Sequence, residues 1–385
     1  MQGLVCPAAY IAAMSGESVT LALCGDVMLG RGVDQILPHP GDPALREIYT
    51  RDAGAYVELA EALNGPIPAP VEFAWPWGDS LRVLEEFAPD VRVINLETAV
   101  TRRDDFETGK GIHYRMSPAN LRCLTAAWPD VCVLANNHVL DFGRPGLEET
   151  LGALGEAGLR VAGAGRDLDL ARWPATVPLD GGGRVLTFSM GTSSSGIPHG
   201  WAATGELPGV NHLAELSDAA AVEVTELVRE LRQPGDVVVA SVHWGSNWGY
   251  GIPPDQVDFA HALIDGGVDV VHGHSSHHPR PIEVYRGKLV LYGCGDFIDD
   301  YEGIGGHGEF RDDLRLLYLV SLEAETGRLS ALHMAPFQAR RMRLNRASTK
   351  DTEWLRAVLD EISREFGVRI EAGGQDGVLI LRTAQ

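Results

Sequence analysis

Short runs of β-branched and other apolar residues recur along the chain. Between them lie stretches whose apolar positions repeat every three or four residues, an alternation that predicts a βαβ-type α/β protein. The runs predict strands at Val19–Cys24, Val91–Asn95, Val131–Ala135, Leu159–Ala162, Arg184–Met190, Asp236–Val242 and Val268–His272. Helical spacing predicts helices at Pro118–Trp128, Pro145–Ala157, Asp218–Arg232 and Pro254–Gly266, several opening on Pro and closing near Gly. From Pro281 the pattern turns antiparallel. Ile282–Tyr285 and Leu289–Tyr292 flank Arg286–Gly287–Lys288 as a hairpin, and Leu314–Leu322 and Arg328–Pro336 follow. The tail reads as a helix, Asp351–Phe366, and a short β unit, Val368–Leu381, broken at Gly373–Gly374. The expected division is a main domain over residues 18–325 and a C-terminal α+β appendage over residues 326–385. Two insertions rich in Trp, Pro and Gly, Pro66–Gly78 and Gly191–Pro208, are longer than ordinary loops and are expected to wall a pocket.

The polar residues fall at the ends of the strands. Gly25–Asp26 follows the first strand, Asn95–Leu96–Glu97 ends the second, and Asn136–Asn137–His138 ends the third. His243–Trp244–Gly245 and His272–Gly273–His274–Ser275–Ser276–His277–His278 end two more, so that six of the 13 histidines lie between His243 and His278. In an open α/β sheet the carboxyl ends of parallel strands border the binding crevice, so these groups are expected to converge. Singly, each has a structural reading: Asp26 as a turn or cap residue, Asn137 as a turn amide, His138 and His243 as satisfied core histidines. Glu97 is harder to place that way, because a carboxylate ending a buried strand is costly unless paired or bound to a cation. A set of carboxylate, amide oxygen and imidazole suits Zn, Mn or Fe rather than Ca, and the absence of Cys argues against a structural zinc.

Charge narrows the partners. Lys+Arg 32 against Asp+Glu 53 gives a net charge of −21, a field that repels phosphate backbones and anionic lipid, so neither nucleic acid nor a membrane surface is an expected partner. The five cysteines, Cys6, Cys24, Cys123, Cys132 and Cys294, form no C-x-x-C pair and no disulfide framework. Met1–Met14 lacks the basic start of an export signal and no stretch is apolar for long enough to span a bilayer. A cytoplasmic location without a membrane anchor is expected; the oligomeric state is left open.

Taken in order, G-D-V-M-L at Gly25–Leu29, N-L-E at Asn95–Glu97, A-N-N-H-x-L-D-x-G at Ala135–Gly143, G-A-G-R at Gly163–Arg166, H-W-G at His243–Gly245 and G-H-x-x-H at Gly273–His277 resemble the CapA (poly-γ-glutamate capsule biosynthesis) family, a relative of the calcineurin-like metallophosphoesterases. The resemblance spans roughly Val19 to Val320. It implies a four-layer α/β/β/α sandwich holding two divalent metal ions. It further implies Asp26 as a ligand of the first metal, Glu97 as the bridge, Asn137, His243 and His274 on the second metal, His277 on the first, and His138 as a non-ligand general acid. The metallophosphoesterase D-x-H motif is incomplete here, since Met28 stands two residues after Asp26. The capsule proteins are usually membrane-anchored, and no anchor is seen in this chain.

In an acidic protein an anionic substrate needs fixed cations, and Arg115 and Arg166 are the expected ones, a surface ion pair being the alternative for each. His113, His272 and His278 are weaker candidates. Asp296–Phe297–Ile298–Asp299–Asp300–Tyr301–Glu302 reads first as a solvated acidic loop, with an amine site or an additional metal ligand as the alternatives. No G-x-S-x-G elbow supports a serine nucleophile, and Gly163-Ala164-Gly165 lacks the further glycine of a dinucleotide loop. The expected function is a two-metal hydrolase cleaving a phosphoester, or an amide such as a γ-glutamyl bond, by metal-hydroxide attack. The alternative is a non-catalytic binding or assembly factor for a γ-glutamyl or other polyanionic chain.

Overall fold

The computed structural model describes residues 18–373 and 377–383, so the expectations for Met1–Met14, Cys6 and Gly374 lie outside the described residues. The chain is a mixed α/β protein with two large sheets. The ten-stranded sheet runs Val368–Gly373, Val378–Thr383, Leu329–Ala339, Leu314–Glu323, Ser18–Val27, Val91–Leu96, Val131–Val133, Arg160–Ala162. Asp296–Ile298 also lies beside Ser18–Val27, and Leu344–Arg346 beside Leu329–Ala339. The seven-stranded sheet runs His212–Leu213, Arg184–Thr192, Val237–His243, Val270–His274, Lys288–Leu291, Ile282–Tyr285, with Ala175–Pro178 antiparallel to Arg184–Thr192.

Side chains alternate between two apolar clusters along the first strand. Val19, Leu21 and Leu23 enter a cluster drawn from both large sheets, together with Val91, Val93, Val131, Val237, Val239 and Val270. Ala22 and Cys24 point the other way, toward Val33, Ile36, Tyr56, Leu147 and Leu154 of the helices Arg31–Ile36, Gly54–Asn64 and Gly143–Glu156. A third cluster joins Leu186, Val238, Ala240 and Val271 to Val228, Phe259 and Leu263 of the helices Asp218–Leu231 and Pro254–Asp265. Burial on both faces is why these strands read as continuous apolar runs rather than strict alternation. The tail helix, Thr349–Ile362, adds Leu355 and Leu359 to the cluster shared by the sheets.

The main strands and the helices Gly143–Glu156, Asp218–Leu231 and Pro254–Asp265 lie within a few residues of their expected limits. The stretch expected as one helix over Pro118–Trp128 is instead a 3₁₀ turn, Pro118–Asn120, and one α-turn, Arg122–Thr125, ending before Trp128 at φ 46°. The helices Arg31–Ile36, Gly54–Asn64 and Ser80–Phe87 were not legible. The second of them buries only Tyr56 and Ala60, so its sequence carries little apolar stripe. The acidic stretch from Asp296 is not a solvated loop. Asp296, Asp299, Asp300 and Glu302 are all buried: Arg315 pairs with Asp299, Arg31 with Asp300, His277 lies against Asp296, and the amides of Arg341 and Met342 donate to Glu302. Among the described residues no helix is long and apolar enough to cross a membrane, and Cys24, Cys123, Cys132 and Cys294 are buried and free.

One contact sets the spacing of the site. Gly25 passes so close to the turn before Asp296–Ile298 that a Cβ on it would lie 1.5 Å from the Gly295 carbonyl oxygen, and Asp26 N–H donates to that oxygen at 3.1 Å. Gly25→Ala should therefore destabilise by about 3 kcal/mol or more, at the upper end of overpacking costs. Gly152→Ala, in a helix with nothing within 4 Å of the added Cβ, should raise stability by up to about 1 kcal/mol. Urea denaturation of the two variants checks both signs.

Candidate metal centre

Strands of both sheets deliver their carboxyl ends to one buried place. Ser18–Val27 and Val91–Leu96 are parallel neighbours, as are Val237–His243 and Val270–His274, where His243 stands opposite His274. Asp26, His243 and His274 each offer a ligand atom within 4.8 Å of the others. His274 Nδ1 is 3.9 Å from Asp26 Oδ1, and His243 Nδ1 is 3.9 Å from Glu97 Oε2. All four side chains are buried.

Hydrogen bonding fixes how these groups face. The amides of His138 and Val139 donate to Asn136 Oδ1, at 3.1 and 3.0 Å. Asn136 Nδ2 must then be the donor to Asn95 Oδ1, 2.9 Å away. Asn95 Nδ2 in turn donates to both Asp26 Oδ1, at 2.7 Å, and Glu97 Oε2, at 3.0 Å. Asn95 is thus a clamp on two carboxylates, and its own oxygen, taken by Asn136, is not free for a cation.

A second chain starts from the Cys24 carbonyl, which can only accept. His272 Nε2, 2.8 Å away, therefore carries the proton, and its Nδ1 accepts from Ser241 Oγ at 3.1 Å. Ser241 Oγ then accepts from His274 Nε2 at 2.8 Å, leaving His274 Nδ1 as a bare lone pair. His243 Nε2 faces Asn137 Oδ1 at 3.1 Å, which puts its proton there and bares Nδ1 as well. The two bare nitrogens meet at 2.7 Å. Burial, and then the neighbouring histidines, hold both imidazoles well below the usual histidine range, so no proton sits between them at neutral pH. A divalent cation satisfies this arrangement: two imidazole lone pairs with Asp26 and Glu97 carboxylates alongside, the imidazoles oriented from behind.

The carboxylates carry the opposite burden. Burial and the nearby Asp296 push Asp26 up to about 7, and burial with Asp26 and Asp296 pushes Glu97 well above the usual carboxylate range. Asp26 Oδ2 has no hydrogen-bond partner, although it is buried.

His138 lies beside this group. Its Nδ1 is 2.6 Å from Asp141 Oδ2, and its Nε2 is 4.0 Å from Glu97 Oε1. Lys110 pairs with Asp141 and bonds the Asn137 carbonyl. Burial lowers His138 to about 4, against the pull of Asp141, so the ring is neutral with Nε2 bare at neutral pH. In Asp141 the burial penalty is outweighed by His138 and Lys110, and the carboxyl is held below its ordinary value.

The remaining expected residues lie elsewhere. His277 Nδ1 is 2.9 Å from Asp296 Oδ1 and its Nε2 is 2.9 Å from Asn247 Nδ2, so both nitrogens have partners outside the Asp26, His243 and His274 group. Arg115 donates to the carbonyls of Arg103, at 2.7 Å, and Asp42, at 2.9 Å, and pairs with Asp104, which engages its guanidinium within the fold. Arg166 is exposed just beyond the Ala164–Gly165 strand. His113 bonds the Glu107 carbonyl, and His278 accepts from Gly249 N–H. Of the two long insertions, 191–208 borders the site: Ser195 Oγ donates to the His243 carbonyl and Ser194 Oγ accepts from Gly245 N–H. The stretch 66–78 packs away from it, with Trp77 donating to the Cys123 carbonyl. Ser241 and Lys110 were missed, because neither stands in a strand-end motif. Asp141 was within reach, being the D of A-N-N-H-x-L-D.

Two outcomes follow from the geometry. Ser241→Ala removes the hydroxyl that keeps the proton off His274 Nδ1, so Mn²⁺ affinity should fall about 10–100-fold by calorimetric titration; an unchanged affinity would break the relay. Because the imidazoles are already neutral, the protons a cation must displace come from carboxyls. Apparent affinity should climb as pH rises through about 7, where Asp26 loses its proton, with Glu97, also pushed upward, adding to the rise. Titration in buffers of different ionisation heat reads that proton release.

The family described as bacterial capsule synthesis protein PGA_cap matches residues 20–301. A probable polyglutamine synthesis accessory protein of Mycobacterium tuberculosis (strain CDC 1551 / Oshkosh) is 56% identical over 355 residues, covering 92% of this chain and 93% of that protein. The PGA biosynthesis protein CapA of Bacillus subtilis (strain 168) is 25% identical over 362 residues, covering 93% and 82%. Among solved structures, TT1561 of Thermus thermophilus aligns with a TM-score of 0.37 and 11% identity over 82% of this chain and 98% of that one. The motif order, the buried cluster of carboxylates and imidazoles at the strand ends and the match over residues 20–301 together make this chain a member of the bacterial capsule synthesis protein PGA_cap family.

Proposed function

We propose that this chain is a metal-dependent hydrolase serving the synthesis of a glutamyl polymer, cleaving a phosphoester or an amide such as a γ-glutamyl bond. The observation that carries the reading is the pair of bare imidazole nitrogens, His243 Nδ1 and His274 Nδ1, 2.7 Å apart beside two carboxylates. The layering of helices, two sheets and helices supports a four-layer α/β/β/α sandwich of metallophosphoesterase type. His243, His274, Asp26 and Glu97 would hold one divalent cation, Mn, Fe or Zn, with Asn137 behind His243, and a second would lie on the His277 side of Asp26. When bound, such a pair lowers the pKa of water and polarises the oxygen of the attacked centre.

The chain's own residues supply the rest. His138, neutral and pinned through Nδ1–H to Asp141, presents a free Nε2 lone pair on the Glu97 side. It takes up a proton there as the attacking water loses one, and delivers it to the leaving oxygen or nitrogen. Asp141 and its partner Lys110 steady the ring in both states. Asn95 and Asn136 hold the two carboxylates in register with it.

The test is turnover by the Mn²⁺-loaded protein across aryl phosphodiesters and γ-glutamyl anilides. His138→Ala should lower kcat by about 10²–10⁴ for poor leaving groups, spare activated aryl esters and leave metal content unchanged. Equal losses across the leaving-group series remove the proton-delivery role. The mycobacterial relative's name speaks of an accessory protein, which favours a second reading, a binding factor without turnover. Tight binding of poly-γ-glutamate with no cleavage of any substrate would select it.

A further inference from the structure

Asp296 begins the short strand Asp296–Ile298, which lies parallel to Ser18–Val27 with Asp296 directly opposite Asp26. Paired residues on neighbouring parallel strands point to the same face about 4.8 Å apart, so the two carboxyl groups stand side by side. The close passage of Gly25 against Gly295 enforces that spacing. Both side chains are buried, at 0% and 1% exposure. Each keeps one oxygen, Asp26 Oδ2 and Asp296 Oδ2, with no hydrogen-bond partner.

Two adjacent buried carboxyls with unpartnered oxygens are an unfavourable arrangement for a purely structural pair, which would be expected to satisfy or separate them. The other Asp296 oxygen is held: Oδ1 is 2.9 Å from His277 Nδ1, and Tyr301 packs edge-on against that ring at 5.2 Å. Two residues beyond Asp26, Met28 offers only a sulfur, 3.7 Å from the Tyr301 hydroxyl. The Asp26 side therefore lacks a donor from the first strand and has a carboxylate from a different strand in its place.

We infer that Asp296 is a metal ligand, sharing a divalent cation with Asp26 through their free oxygens while His277 steadies Asp296 from behind. This rests on the two-cation reading above and assigns the residue that completes its second half. Hard, oxygen-rich coordination of this kind suits Mn²⁺ or Fe²⁺ better than a thiophilic ion.

The full-length protein, Asp296→Asn, Asp296→Ala and His274→Ala are compared by equilibrium dialysis against Mn²⁺ with elemental analysis, and by melting temperature in EDTA. The parent should bind two ions. Each Asp296 variant should bind one, the lost ion's Kd rising about 100-fold or more, beyond the effect of removing an outer partner. His274→Ala should lose the other ion. Melting temperature in EDTA checks that each variant is folded before metal is added. Asp296 variants that keep both ions at parental Kd overturn the assignment and leave the two-cation reading standing. If the parent binds a single ion, its loss in Asp296→Asn upholds the ligand role and ends the two-cation reading, while its retention ends both.

Discussion

Three carboxyl groups, Asp26, Glu97 and Asp296, are buried within one crevice between the sheets, and the arrangement around them answers that concentration of charge. Burying one ionised carboxylate costs several kcal/mol unless it is paired, and burial among like charges raises the affinity of Asp26 and Glu97 for protons. The metal-free protein meets the cost with protons, as the upward shifts of Asp26 and Glu97 show, and with single hydrogen bonds from Asn95 and His277. Divalent cations, under the proposed function, would meet it with charge. A fold that assembles such a cluster at the carboxyl ends of its strands is storing an electrostatic preference for cations over protons, and that preference grows with pH.

The histidines are prepared in the opposite sense. His243 and His274 are kept neutral by burial, and their ring protons are parked on Asn137 and Ser241. The Ser241 contact depends on His272, and His272 depends on a backbone carbonyl of the first strand. The tautomer of His274 in one sheet is thus set by a peptide group in the other. A buried Arg31, bonded to Glu47 and Asp300 and stacked on Tyr56 and Tyr114, supports the far side. Tyr114 also packs on His138, and its hydroxyl bonds Tyr301, which packs on His277. One fixed cation therefore braces both His138 and His277.

Family membership and this geometry bear on different questions. The match over residues 20–301 ties the chain to capsule synthesis proteins. The site concerns chemistry, and a fold shared by many proteins does not choose the reaction. On the proposed hydrolase reading, the neutral, Asp-anchored His138 is the feature that would separate a reacting centre from a mere cation store, since holding a cation requires no mobile proton beside it.

The sequence by itself determined the strands, the residues at their ends and the family, because β-branched runs, turn glycines and strand-end motifs are local signals. It also carried Asp26, Glu97, Asn137, His138, His243, His274 and His277 as strand-end groups expected to converge, of which His277 turns its nitrogens to Asp296 and Asn247. Tertiary structure alone decided partnership. Asp300 looked like solvated acid because its counter-charge, Arg31, lies 269 residues away in sequence. Arg115 looked available because the carbonyls of Asp42 and Arg103 that occupy it come from separate loops. Asp296 became Asp26's neighbour only through a parallel strand pairing that joins residues 270 positions apart. Local pattern encodes period and burial, whereas charge compensation, tautomer and ligand grouping are set by distances between segments that the chain brings together only on folding.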